Sequence, residues 1–259
     1  MPAYDAATAA RFLADAHRTR QAYVNLPEHL APPTLADAYA AQEALRALWT
    51  PVYGPVAGLK IATTTKVMQA LMGIDHPCGG MIYKKRIHPT GATLRLADHM
   101  HLVVEAELAV RVSGTLEKAA APYTAQTVRD AVSEVMPAFE LIEDRNAHYK
   151  STKAYTLIAD NAWNAGIVLG KPVAVPSSQD LNGLKGRLTL NDAAKGEGLT
   201  DDPMGALAWC VNLAADRGRP LEKGQVVITG SVIATFPVAA GDAIRFEIEG
   251  LGAVEARVE

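Results

Sequence analysis

Apolar residues recur at helical spacing over the first fifty positions and at alternate positions over much of the rest. Ala10, Phe12, Leu13 and Ala16 predict a helix capped by Asp5 or Thr8 and running to about Ala22. A break spans 27–33. Thr34 then caps a second helix over 35–49, with Ala38, Tyr39, Gln42 and Leu45 on one side, and Pro51 and Pro55 end it. From residue 56 the texture changes. A short strand over 56–62 leads to a threonine cap at 63–65, a helix over 66–72 and a flexible loop through Gly73, Pro77, Gly79 and Gly80. Strands follow at 81–87, 93–96 and 103–112, with a turn at Pro89-Thr90-Gly91. The stripe Val128, Ala131, Val132 and Val135 predicts a helix over 124–135, and 136–144 reads as the next strand. The last third is β-rich, with strands at 186–190, 226–229, 243–248 and 253–258 around one amphipathic helix, 203–216. The pattern divides the chain into a helical arm, 1–55, and a β-rich body, 56–259.

Two acids interrupt the apolar strand at 103–110. Side chains alternate faces along a strand, so Val104, Ala106, Leu108 and Val110 line one face and suit a core. Glu105 and Glu107 then share the other face, about 7 Å apart. Paired carboxylates lose solvation and repel, which calls for compensation, and a hard divalent cation such as Mg²⁺ supplies it. The alternative is a solvent-facing edge strand with two ordinary surface acids. Glu140 is a third acid in an apolar strand, with Ala138 and Ile142 on its face. A passage of just over thirty residues from Glu107 is long enough to bring the two strands together. Three converging carboxylates would make a Mg²⁺ or Mn²⁺ site.

Composition adds limits rather than direction. The chain has 259 residues, 49% hydrophobic and 20% charged, the profile of a soluble globular protein with a sizeable core. A net charge of −3 gives no reason to expect nucleic acid or an anionic membrane as partner. Cys78 and Cys210 form neither a disulfide framework nor a zinc pattern. No run is long enough to span a membrane and no signal peptide is evident, so a cytoplasmic location is expected.

Other candidate chemistry is sparse. Lys60 is the lone charge of its strand, either a half-buried electrophile or proton donor near the acids or a lysine snorkelling from an edge. Asp160-Asn161 and Thr229-Gly230-Ser231 follow apolar runs, where polar groups either face ligands or make turns. His88, His99 and His101 crowd one region, without the helical spacing or cysteine partners of a metal site. Phosphate-binding glycine loops and a G-x-S-x-G elbow are absent from the sequence.

The segment from Gly58 to Thr65 resembles the 2-keto-4-pentenoate hydratase and 2-oxo-3-hexenedioate (4-oxalocrotonate) decarboxylase branch of the fumarylacetoacetate hydrolase superfamily. So do Met68-Gln69, Glu105-Ala106-Glu107, Pro137-Ala138-Phe139-Glu140, the run from Ile158 to Ala162, Thr229-Gly230-Ser231 and the Ala240-Gly241-Asp242 turn. The likeness runs from about residue 35 to the C-terminus. It implies an α+β fold, a mixed β-sheet roll with a helical N-terminal portion, assembled as a homo-oligomer. It also implies a metal, Mg²⁺ with Mn²⁺ as the alternative, on Glu105, Glu107 and Glu140. Lys60 and Asp160 carry over as catalytic, and Thr64, Thr65 and Ser231 as substrate-facing. Ala62 and Thr65 depart from the family's G-x-K-I-G-x-T-S stretch, which has glycine and serine there.

The activity implied acts on a small 2-oxo acid chelated through its C1 carboxylate and C2 oxygen, with a dienolate common to two outcomes. A hydratase adds water across the C4–C5 alkene of the dienol, whereas a decarboxylase expels CO₂ from a vinylogous β-keto acid. Hydration is the expectation, decarboxylation the alternative. Hydrolysis of acylpyruvates ranks third, because His29 and Glu28 are a poor match to that branch's lid pair, and a non-catalytic binding protein is the remaining option. The far end of the pocket chooses between the first two, and Arg145, Lys84, Lys85 and His148 are the groups able to hold a second substrate carboxylate there.

Overall fold

Two sheets carry the chain in a computed structural model that describes residues 4–176 and 178–259. The helices are α1 (Ala6–Arg18), α2 (Leu35–Tyr53), α3 (Lys66–Met72), α4 (Ala125–Arg129), α5 (Ala154–Ala159) and α6 (Pro203–Asp216). The strands are β1 (Val56–Ala62), β2 (Cys78–Tyr83), β3 (Ile87–Pro89), β4 (Ala92–Leu94), β5 (Leu102–Val112), β6 (Val132–Glu143), β7 (Asn164–Leu169) and β8 (Val173–Ala174). They continue with β9 (Lys185–Leu190), β10 (Ala193–Leu199), β11 (Val226–Pro237), β12 (Ala243–Ile248) and β13 (Gly252–Val258).

The larger sheet runs β2-β1-β11-β5-β6-β7-β3, with β8 on β6, and the smaller runs β10-β9-β12-β13-β4. Strand β2 also touches β7, far from it in strand order, so the large sheet curls into a roll. This is the mixed-sheet α+β roll that the sequence resemblance implies. Inside it pack Ile82, Ala109, Met136, Ala138, Ile167 and Ile228. Outside, Val104, Ala106, Leu108 and Val110 join Phe139, Phe246, Leu207 and Val211 in the main core beneath the second sheet and α6. The N-terminal helices pack through Leu13, Leu45 and Trp49 against Met81 and Tyr83 of β2.

Several elements differ from expectation for identifiable reasons. The first helix stops at Arg18, short of Ala22, although Asp5 does cap it by accepting from the Thr8 N–H. Helix α2 passes through Pro51, which lies in the last turn, where a missing N–H costs one bond only. It stops at Gly54, whose φ of 82° is easy for glycine alone. Gly79 and Gly80 are not loop residues but lie within β2, buried. A Cβ on Gly79 would sit 2.4 Å from Leu213, and one on Gly80 2.7 Å from the Asn161 carbonyl. The predicted helix over 124–135 ends at Arg129, because Val132 and Val135 pair with Val112 and Val110 of β5. The apolar run before Asp160-Asn161 belongs to a helix, Ala154–Ala159.

Candidate active site

Strand β5 lies between β11 and β6, so the acids at 105 and 107 are not on an edge. The antiparallel register puts Glu105 directly across from Glu140 and Glu107 across from Ala138. Opposed residues share a face, so all three carboxylates enter the interior of the roll. Their oxygens lie within 4.8 Å of one another, with Glu107 and Glu140 fully buried and Glu105 half-buried. Lys60 of β1 joins them, its Nζ 2.9 Å from Glu140 Oε1, which also accepts from Asn164 Nδ2 at 2.9 Å. The Gly230 N–H donates to Glu107 Oε2 at 2.7 Å, and the Thr235 hydroxyl to Glu105.

Local backbone explains the first of these donors. Register slips between Ile228 and Ser231 on β11, and Gly230 adopts φ 110° in that bulge, turning its N–H to the carboxylate. Asn161, Ala162 and Trp163 form a left-handed turn, with φ of 53°, 46° and 59°. Such conformations need external support. Asn161 supplies it by bonding both the N–H and the carbonyl of Met81, and the turn delivers Asn164 to Glu140.

Charge is unbalanced here. Burial, then the neighbouring carboxylates, pushes Glu107 well above the ordinary range and raises Glu105 in the same way. Burial would lower Lys60, but Glu140 and Glu105 outweigh it and the ammonium is held above its usual value. Lys60 is therefore a cation and proton donor rather than a neutral base. Glu107 Oε1 and Glu140 Oε2 are buried with no hydrogen-bond partner among the described residues. Orphaned oxygens on clustered carboxylates fit a hard divalent cation, so Glu105, Glu107 and Glu140 suit the Mg²⁺ or Mn²⁺ expected from sequence.

A cavity of about 790 Å³ opens from this cluster. Lys60, Thr64, Thr65, Glu105 and Ser231 line it, within walls that include Met68, Met72, Val103, Ile142, Trp163 and Phe236. The Thr65 hydroxyl accepts from Met68 N–H as the cap of α3, and Ser231 donates to the Ile233 carbonyl. Asp160 is elsewhere. It is fully buried at the end of α5, bonded by His17 Nε2 and an Arg145 guanidinium nitrogen, each at 2.6 Å, and does not line the cavity. Its backbone N–H closes α5, and its carboxylate is engaged by these two partners away from the cavity lining. Arg145, Lys84, Lys85 and His148 are likewise absent from the cavity wall. At its far end stand His101, Asp144 and Tyr149, of which only His101 stands out in the sequence, and there only as one of three crowded histidines. A signal existed, since His101 and Asp144 are each four residues from a cluster glutamate and so on the same strand face.

Residues 69–259 match the fumarylacetoacetate (FAA) hydrolase C-terminal family. The chain belongs to the fumarylacetoacetate hydrolase family. Among curated relatives of this family member, 4-oxalocrotonate decarboxylase of Pseudomonas putida is 29% identical over 228 residues, covering 86% of this chain and 85% of the relative. The 2-hydroxyhexa-2,4-dienoate hydratase of Comamonas testosteroni is 29% identical over 246 residues, covering 93% and 92%. The solved 4-oxalocrotonate decarboxylase of Pseudomonas putida G7, complexed with magnesium and adipate, superposes with a TM-score of 0.89 at 26% identity, covering 98% of this chain and 97% of that one. The two curated relatives are a carboxy-lyase and a hydro-lyase at equal identity, and this FAA hydrolase family member is an enzyme of the lyase class. Among its described residues no helix is long and apolar enough to cross a membrane.

Proposed function

We propose that the chain is a hydratase that adds water to a 2-hydroxy-2,4-dienoate or its 2-oxo tautomer, a product of aromatic-ring cleavage, with Mg²⁺ on Glu105, Glu107 and Glu140. The bound ion would supply Lewis-acid charge for the C1 carboxylate and C2 oxygen of the substrate. Lys60 holds a positive charge beside Glu140, at the end of the cavity where negative charge develops on the C2 oxygen. Thr64, Thr65 and Ser231 flank that end. Asp160 is set outside the catalytic machinery on this reading.

The observation that favours hydration is the cavity's charge. Among the described residues Lys60 is the only lysine or arginine lining it, and Lys60 is already paired with Glu140. The far end carries the Asp144 carboxylate. A dianion such as 2-oxo-3-hexenedioate would place its second carboxylate among apolar side chains near that acid, without a lysine or arginine partner, which is costly. A monoanionic dienoate meets no such penalty. Decarboxylation is the second reading, favoured by the extent of the superposition on a decarboxylase.

The deciding experiment supplies 2-hydroxypenta-2,4-dienoate and 2-oxo-3-hexenedioate separately to the purified protein with Mg²⁺. Water incorporation into the first without CO₂ release from the second is expected. CO₂ release from the second, with the first untouched, would overturn the hydratase reading.

A further inference from the structure

The cavity ends away from the carboxylate cluster in a hydrogen-bonded triplet. His101 Nδ1 lies 2.6 Å from Asp144 Oδ1, the Tyr149 hydroxyl donates to Asp144 Oδ2 at 2.9 Å, and the Asn146 N–H donates to Oδ1 at 2.9 Å. Burial, then the charge of Asp144, raises the Tyr149 phenol, so it stays a donor. The Tyr149 and Asn146 contacts are hydrogen bonds donated to Asp144, one to each oxygen. The carboxylate is thus an acceptor on both oxygens, which fixes the proton of neutral His101 on Nδ1 and leaves the Nε2 lone pair free. No hydrogen bond to Nε2 exists among the described residues, and the ring is about 40% exposed and lines the cavity. An imidazole oriented through one nitrogen by a carboxylate, with the other nitrogen facing a substrate cavity, is the arrangement of a general base.

Its position also fits. Leu102 pairs with Glu143 and Val103 with Ile142, and the His101–Asp144 contact just past the strand ends extends the ladder, giving three rows in succession. These are Glu105 with Glu140, Val103 with Ile142, and His101 with Asp144. The first and last rows are four residues apart, about 13 Å along the strand. A 2-oxo acid with its C1–C2 end at the carboxylate row runs C3 and C4 past the apolar row. What remains is about one near-attack contact of 3 Å and one hydrogen bond of 3 Å, room for a single water.

We infer that His101 is the base for the added water and that Asp144 is its positioning residue. This rests on the hydratase reading. The dienol first ketonises, losing the O2 proton and gaining one at C5. The water oxygen then bonds to C4 of the resulting 2-oxo-3-enoate as the C3–C4 π pair shifts to C2–C3 and the C2 carbonyl becomes an enolate. The water's proton passes to Nε2 and is given back as the enolate collapses with protonation of C3, so the net change is one H₂O.

The test compares wild type, His101→Gln and Asp144→Asn, all with Mg²⁺. Hydration of 2-hydroxypenta-2,4-dienoate is followed beside two readouts on 2-oxopentanoate, which has no alkene to hydrate. These are its affinity by calorimetry and the exchange of its C3 protons in D₂O. In His101→Gln, hydration should fall at least about 100-fold while affinity and exchange stay within about threefold. In Asp144→Asn, kcat should fall with KM unchanged. Hydration by His101→Gln within threefold of wild type overturns the role, as does a parallel loss of affinity and exchange, which would make His101 structural. A wild type that releases CO₂ from 2-oxo-3-hexenedioate and hydrates nothing removes the hydratase reading, and this inference with it.

Discussion

At the scale of single residues, two glutamates, Glu107 and Glu143, show how context sets charge. Glu107 is raised by burial and by Glu140 and Glu105, so without a cation it destabilises the fold at neutral pH. Glu107→Gln should therefore raise the melting temperature of the metal-free protein and abolish Mg²⁺-dependent turnover. Wild type should gain stability on adding Mg²⁺ and the variant little, as thermal melts would show. Glu143 goes the other way. Burial would raise it, but His99 and the N–H groups of His101 and Met100 outweigh burial and bring it down to about 2. A depressed carboxyl contributes stability above its unfolded value near 4.5 that is lost as pH falls toward 2. The melting-temperature gap between wild type and Glu143→Gln should thus be full at pH 6 and close between about pH 4.5 and 2. Neither environment is written locally, since each depends on partners from another strand or loop.

Elements explain what could be read in advance. Strand β5 was legible because its alternation is clean, and the sharing of a face by Glu105 and Glu107 follows from it. Helices α3 and α6 were legible from their caps and stripes. The bulge at Gly230 was not, since a register slip depends on the partner strand; nor was β10, whose Ala-Ala-Lys-Gly-Glu-Gly-Leu run lacks alternation and is fixed by pairing with β9. Gly230→Ala should cost about 1–3 kcal/mol from strain at φ 110° and should weaken Mg²⁺ binding by turning its N–H from Glu107, measurable by calorimetry. On the opposite face, Ala106 is fully buried in the main core. Ala106→Leu should overpack it, costing about 1–3 kcal/mol, and perturb the metal site without altering a ligand, which denaturant melts and Mg²⁺ titration would register.

Over the whole molecule, Asp160 has the task of joining parts. His17 comes from α1, Arg145 follows β6, and Asp160 closes α5, so one buried carboxylate ties three segments far apart in sequence. Sequence could place Asp160 in a matching stretch but not supply its partners, which come from segments distant along the chain. Asp160→Ala leaves the Arg145 charge buried and unpaired, a loss of about 3–5 kcal/mol. It should lower the melting temperature sharply while the fraction that remains folded keeps its kcat, measured below the transition.

The rows of β5 and β6 that face the cavity also limit how such an enzyme can change. Only every second residue points inward, so a functional group moved along the strand relocates in jumps of about 6.6 Å. No intermediate position exists, because a shift of one residue sends the side chain into the core instead. Adaptation of this scaffold to longer or shorter substrates is therefore discontinuous along these strands. Finer adjustment falls to Met68, Met72 and Trp163, which come from outside the ladder and are free of its two-residue repeat.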